Sequence, residues 1–401
     1  MSGSRQAVIS SQNQPYYSLA VKEPFRILFI LGSLIAVFGI MLWPLNHWGV
    51  IGFYPNIAHA RIMVEGFLGC FVIGFLGTAL PRILDVEQLT VFETPIFALL
   101  MIFVVALHFL QKTFWGDILF AVTFSGFMMA LFVRAILRKD IPPPGFILVP
   151  AGLGSGVIGA FILAIGQVSP PEPFLYLFAQ LLLYQGFLLL PVMGIGAFLL
   201  PRFFGEVSKH NFPESMAVPP GWMGKALVSG LAGGLVIVSF AIEAGGQIVW
   251  GCLLRGAVVL AYFLMEMNLL QNWKARGTLA LSLRIALICF PAGLFAVASA
   301  PLHRVALLHV FFMGGFCLLC FTVASRVVMG HSGHSHLLSG RLKPMIFFLV
   351  MLILALLCRV SADFIPEVRL SHYDYAAILL SGGILVWLMA YLPLMKMEEP
   401  K

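Results

Sequence analysis

Apolar runs as long as a bilayer crossing, about 20 residues at the helical rise, recur along the whole chain and are separated by short polar breaks. They extend from about Arg26 to Leu45, His59 to Leu80, Val91 to Leu110, Ile118 to Leu137, Phe146 to Ile165, Phe174 to Leu200, Lys225 to Ile242, Gly246 to Leu269, Leu279 to Ala298, His303 to Ser325, Met345 to Ser361, and Tyr375 to Leu394. The pattern predicts an all-α integral membrane protein of twelve transmembrane helices.

The second, sixth and tenth runs end alike. Glu65-Gly66-Phe67-Leu68 and Leu80-Pro81-Arg82 return as Gln185-Gly186-Phe187-Leu188 and Leu200-Pro201-Arg202, and Arg326 closes the tenth run. Seventeen positions before each Arg stand Glu65, Gln185 and His309, and twenty-three before stand His59, Ala179 and His303. This spacing predicts three repeat-like four-helix units, about 26–140, 146–270 and 279–395, within one membrane domain spanning 26–395. The flanks, 1–25 and 396–401, are polar. Pro191, Gly194 and Gly196 predict a kink in the sixth helix, since freed backbone groups in a membrane need neighbours or water. Glycines at 152, 154, 156 and 159, and at 230, 233 and 234, predict close helix crossings. The stretch from Gly205 to Gly221, with His210, Pro213, Pro219 and Pro220, reads as a linker.

Composition agrees with the pattern: 60% of residues are apolar and only 10% charged, with a mean hydropathy of +0.99, outside the range of soluble domains. The net charge of +7 is a topology signal rather than a nucleic-acid surface. Placing the N-terminus inside collects Lys22, Arg26, Arg82, Arg134, Arg138, Lys139, Arg202, Lys209, Lys274, Arg276, Arg341 and Lys343 on one side, leaving Lys112, Arg304, Arg369 and Arg61 on the other. The expectation is a bacterial cytoplasmic (inner) membrane protein with both termini in the cytoplasm and no signal peptide. All six cysteines fall in apolar runs, so no disulfide framework is implied.

Ionisable residues inside hydrocarbon are expensive and therefore functional candidates. Glu65 and His309 lie at matched depth toward the outer side, with His59 and His303 nearer the surface; Glu243 and Arg255 stand in the seventh and eighth runs, and Gln185 in the sixth. His309 sits in the apolar run Val305 to Phe316, where a neutral imidazole needs a hydrogen-bond partner or a metal. Haem needs axial imidazoles from facing helices, apolar walls and cations for its propionates. His59, His303 and His309 offer the first and Arg61 and Arg304 the last. In the stretch Gly330 to His336, the imidazoles of His331, His334 and His336 offer a copper, zinc or nickel site.

These residues resemble the NnrS family of twelve-helix membrane proteins. The resemblance is carried by Glu23-Pro24-Phe25-Arg26, His59-Ala60-Arg61-Ile62-Met63 leading to Gly66-Phe67, Gly74-Phe75, Thr78-Ala79-Leu80-Pro81, and in the tenth run His309, Arg326 and Gly330-His331-Ser332-Gly333. It implies binding of b-type haem (haem b) and copper and a role in nitric oxide or metal stress; a separate expectation is an assembly or sensor partner of a respiratory or denitrification complex. Two departures stand out: the family's His-Ala-His-Glu-Met is here His59-Ala60-Arg61-Ile62-Met63, and its Trp-x-x-His in the ninth helix is absent. The helix count and the imidazoles on the second and tenth helices also resemble haem-copper oxidase subunit I, an analogy of architecture; the sixth helix offers only Tyr184 and Gln185 where that enzyme needs His. The alternative expectation is a proton- or ion-coupled transporter whose polar path is lined by Glu65, Gln185, Glu243 and Arg255.

Overall fold

The computed structural model describes residues 20, 22–213, 215–271 and 277–397, which leaves Lys274 and Arg276 outside the described residues. Among the described residues all regular structure is helical. The chain runs back and forth through α1 (Phe25–His47), α2 (Asn56–Ile83), α3 (Glu93–Phe109), α4 (Thr113–Ile136), α5 (Pro144–Val168), α6 (Pro173–Phe204), α7 (Trp222–Ala244), α8 (Ile248–Glu266), α9 (Thr278–Ser299), α10 (Pro301–His331), α11 (Lys343–Phe364) and α12 (Pro366–Tyr391). Eleven of these are long and apolar enough to cross a bilayer, and α3, at 17 residues, is the short one. The apolar runs locate the helices well. The largest departure is α12, which begins well before its apolar run, because Arg369, His372 and Asp374 extend the helix toward water where apolarity is not needed.

Three helices form the centre. α2, α6 and α10 are more thoroughly covered by the rest of the chain than the other eight long helices. Phe67 of α2 stacks on Phe321 of α10 with ring centroids 5.9 Å apart, and Phe187 of α6 meets Phe120 and Phe124 of α4 edge-on. Each central helix is interrupted by a π-helical stretch: Ile62–Leu68 in α2, Leu182–Gly186 in α6 and Val310–Cys317 in α10. A π-turn widens the helix by accommodating an extra residue and re-aims the side chains around it, so such turns gather at functional sites. Glu65, Gln185 and His309 fall within these stretches or directly before one. The irregularity in α6 lies ahead of Pro191, and the helix continues through the proline.

Close crossings depend on some of the expected glycines only. A Cβ at Gly152 would stand 2.1 Å from Pro191 Cδ, and one at Gly233 2.4 Å from Leu148 Cδ2, whereas Gly154 and Gly234 face open space. The stretch expected to be a plain linker is fastened to the bundle. His210 is buried, its Nδ1 accepts from the Gly145 N–H at 3.2 Å, and its Nε2 lies 3.1 Å from Glu266, which also holds Lys225.

Both ends of the described chain meet on one side of the bundle, called here the terminal side. Buried Arg26 pairs with Glu23 at 2.6 Å and donates to the carbonyls of Met395 and Met397 at 2.6 and 2.7 Å. Glu23 also receives Arg82 from α2 and His331 from α10, the latter at 2.9 Å. Burial alone would raise the Glu23 carboxyl, but the hydrogen bond and charge of His331, with the Arg26 guanidinium, hold it below its ordinary value. A carboxyl with a depressed folded pKa stabilises the fold above its unfolded pKa and loses that contribution as pH falls through the folded value. The thermal midpoint in neutral detergent is therefore expected to be level near neutral pH and to fall below pH about 4. The Glu23→Gln chain should start lower and lack that acid limb; an unchanged limb would assign it to another carboxylate.

Candidate functional site

Alternation of helix direction places the start of α2, α4, α6, α8, α10 and α12 opposite the terminal side, and apart from the networks of Glu23 and Glu266 the buried ionisable residues described below collect at this far end in three clusters. The first lies between α2, α3, α4 and α6. Arg61 Nε donates to Asp117 Oδ1 at 2.6 Å, its Nη2 reaches Oδ2 at 3.3 Å, and its Nη1 binds the Tyr184 hydroxyl. Glu65 Oε1 stands 3.3 Å from Arg61 Nε, a charge contact without hydrogen-bond alignment, while its Oε2 meets His108 Nε2 at 2.7 Å. Glu65, His108 and Asp117 are fully buried. From Asp117 the network continues to Gln167 at 3.2 Å and Thr113 at 2.5 Å from it, reaching the surface.

Among the described residues, Glu65, His108 and Asp117 form the one group of three whose metal-ligating atoms lie within 4.8 Å of one another. The same space holds the fixed charge of Arg61, which repels a dication and already neutralises one carboxylate. The cluster thus contains two carboxylates and one permanent cation, and neutrality requires one further positive charge, most economically a proton shared along the Glu65–His108 contact.

The second cluster lies between α7, α8 and α10. Glu243 binds Arg255, and its Oε1 accepts from Arg304 Nη2 at 2.6 Å and Nε at 3.0 Å. Cys252 Sγ is 3.4 Å from Arg255 Nη2, and the Arg255 guanidinium lies 5.0 Å from the Phe240 ring. Arg255 Nε and Nη1 are buried without a hydrogen-bond partner.

The third cluster joins α1, α2, α10, α11 and α12. His59 Nδ1 lies 2.9 Å from the Gly39 carbonyl and His309 Nδ1 2.7 Å from the Val305 carbonyl. A carbonyl only accepts, so both rings carry their proton on Nδ1 and leave Nε2 with a free lone pair. The two imidazoles are within electrostatic reach of each other and of Arg359. Arg359 lies 4.8 Å from the Tyr373 ring and has an Nη1 that is buried without a partner. Trp43 touches His59, Tyr54 and Tyr373 edge-on or tilted, at centroid distances of 5.3 to 5.9 Å.

The structure therefore groups the sequence candidates differently from their order along the chain. It places His59 and His309 within electrostatic reach of one another. Arg61 and Arg304, expected beside a cofactor's carboxylates, are turned into the first and second clusters and engaged by acids there. His303 is bound to Asp363 at 3.2 Å and stacked on Phe364. His331, His334 and His336 do not converge: His331 is held by Glu23, and His334 Nδ1 returns to Ser332. Glu65, Gln185, Glu243 and Arg255 do not share one network, since only Glu243 and Arg255 touch among the described residues. Gln185 is buried with an unpartnered Oε1.

His108 and Asp117 go unmarked in the sequence pattern, and Arg359, an ionisable candidate toward the outer end of the eleventh run, is given no partner by it. The argument that singled out His309, a lone imidazole in an apolar run, applies equally to His108 in α3. Asp117 falls just ahead of the apolar run that begins at Ile118, whereas α4 starts at Thr113. Removing the cation of the first cluster tests the charge count. Arg61→Met leaves two buried carboxylates facing one another and is expected to cost about 3–5 kcal/mol. Asp117→Asn in the same chain should return part of that loss, read as the thermal midpoint of purified protein. No recovery would mean that charge balance is not what holds the cluster.

No curated protein matches the chain. A family model described as NnrS protein matches residues 20–397, nearly the whole sequence, and the chain therefore belongs to the NnrS family.

Proposed function

We propose that this NnrS-family protein resides in the bacterial inner membrane, with both termini in the cytoplasm, and holds a b-type haem in the third cluster in a response to nitric oxide or metal stress. One observation carries the reading: His59 and His309, on two central helices, each fix Nδ1 on a backbone carbonyl and keep Nε2 free. Haem-ligating imidazoles need this second-shell bond, which sets the tautomer and aims the ring. The rest of the donor set fits as well. Arg359 carries an unused, buried N–H suited to a propionate, and Trp43, Tyr54 and Tyr373 supply aromatic walls. Bound there, haem would supply a one-electron centre. The protein's part is to fix the two rings, to neutralise the carboxylates through Arg359, and to keep the site apolar. Copper finds less support, because no three imidazole or thiol groups converge among the described residues and His331 is engaged by Glu23.

Purified protein should show a reduced-minus-oxidised haem spectrum. His59→Ala and His309→Ala should each lower haem content or shift the haem spectrum, while His303→Ala should leave it unchanged. An unaltered spectrum in both of the first two variants would remove the third cluster as the site.

A second reading, a proton-coupled transporter, draws on the first cluster, where the spare carboxylate of Glu65 stands beside the Arg61–Asp117 pair and Asp117 is connected to the far-end surface through Gln167 and Thr113. It predicts a proton-coupled flux in proteoliposomes made from haem-free protein, abolished by Glu65→Gln. Flux that persists in Glu65→Gln would exclude that residue.

A further inference from the structure

The three arginines that close the central helices meet at the terminal side, around the mouth of an internal cleft. The cleft has a volume of about 440 Å³ and lies between α2, α6 and α10, with Phe29 of α1 on one flank. Its walls are apolar, among them Phe71, Leu76, Leu188, Val192, Leu319 and Val323, and its rim carries Arg82, Arg202, Arg326 and His331. A volume in this range suits a small-molecule site with a few polar groups at one end.

The rim charges are not equivalent. Arg82 and His331 are both engaged by Glu23. Arg202 and Arg326 have no carboxylate within ion-pair distance among the described residues, although they are near enough to repel each other. Each guanidinium instead lies on a phenylalanine, Arg202 over Phe198 at 4.7 Å and Arg326 over Phe203 at 4.4 Å. The buried cations Arg61 and Arg255 are met by acids, Asp117 and Glu243, while Arg359, like half-buried Arg326 and exposed Arg202, lies on an aromatic ring. The larger apolar cleft between α4 and α5 makes the contrast: its Arg134 is bound to Glu93 at 2.6 Å. Two like charges held together at the edge of a low-dielectric space are relieved by an anion, and the planar guanidinium fork matches phosphate.

We propose that the central cleft binds an amphiphile with a phosphate head, the head held by Arg202 and Arg326 and the apolar body lodged between α2, α6 and α10. The site is at the opposite end of the bundle from His59 and His309 and does not depend on haem.

The test uses the full chain in neutral detergent with dodecyl phosphate as probe, read as a saturable rise in the thermal midpoint. Neither inorganic phosphate nor dodecyl maltoside should reproduce the rise, since each supplies half of the chemistry. The Arg202→Gln/Arg326→Gln chain should bind the probe about tenfold more weakly or worse. Val323→Trp, which keeps the arginines and fills the cleft, should also abolish the rise. Native mass spectrometry separates the two sources of such a ligand. A phospholipid carried by the wild-type chain and absent from both variants assigns the site to membrane lipid; none carried, with dodecyl phosphate still bound, assigns it to a free amphiphile. The proposal is overturned by an equal rise with dodecyl maltoside or with inorganic phosphate, by no rise in the wild type, or by unchanged binding in folded variants.

Discussion

A charge inside this bundle is costly unless it is answered within a few ångströms, because the surrounding helices and lipid offer no water to do it. That single constraint organises the far end. Arg61 is matched by Asp117 and Glu65, and Glu243 draws in both Arg255 and Arg304. His59 and His309 avoid the cost by staying neutral and donating to backbone carbonyls. The residues left over after this pairing are the informative ones: the free Nε2 atoms of the two histidines, the idle N–H of Arg359, and the carboxylate that Arg61 does not neutralise.

The helices that present these groups also explain why they occur where they do. α2, α6 and α10 sit at the centre and carry the π-helical stretches, and each of the three clusters includes at least one residue from these helices: Arg61, Glu65 and Tyr184 in the first, Arg304 in the second, His59 and His309 in the third. The outer helices supply the partners, such as His108, Asp117, Glu243, Arg255 and Arg359. Polar chemistry is thus gathered on the central helices and closed from the periphery. At the terminal side the same three helices end in arginines, of which only Arg82 has an acid to bind among the described residues.

Glu23 shows how the terminal side is tied off. Its carboxylate gathers Arg26, Arg82 and His331, and Arg26 in turn holds the carbonyls near the end of the described chain. A histidine that the sequence offers as a metal ligand is spent there on structure. Buried imidazoles are ambiguous in this way, since the same ring serves as ligand, acid or hydrogen-bond donor according to what stands opposite.

The sequence by itself determined the helices, because burial in lipid demands about 20 apolar residues per crossing and internally satisfied backbone, and that demand is local. It also marked Glu65, Gln185 and His309, whose matched spacing from Arg82, Arg202 and Arg326 coincides with the π-helical stretches. Its resemblance to the NnrS family agrees with the family match over residues 20–397. What only the tertiary structure decided was partnership: that Arg61 faces Asp117 rather than a cofactor, that His108 meets Glu65, and that His331 answers Glu23 while His59 and His309 both come within electrostatic reach of Arg359. A helix fixes the depth of a side chain through its rise per residue, but the neighbour at that depth depends on how far each helix is rotated and which helices stand beside it. Those two quantities are set by packing across the whole bundle and are not written in any one segment.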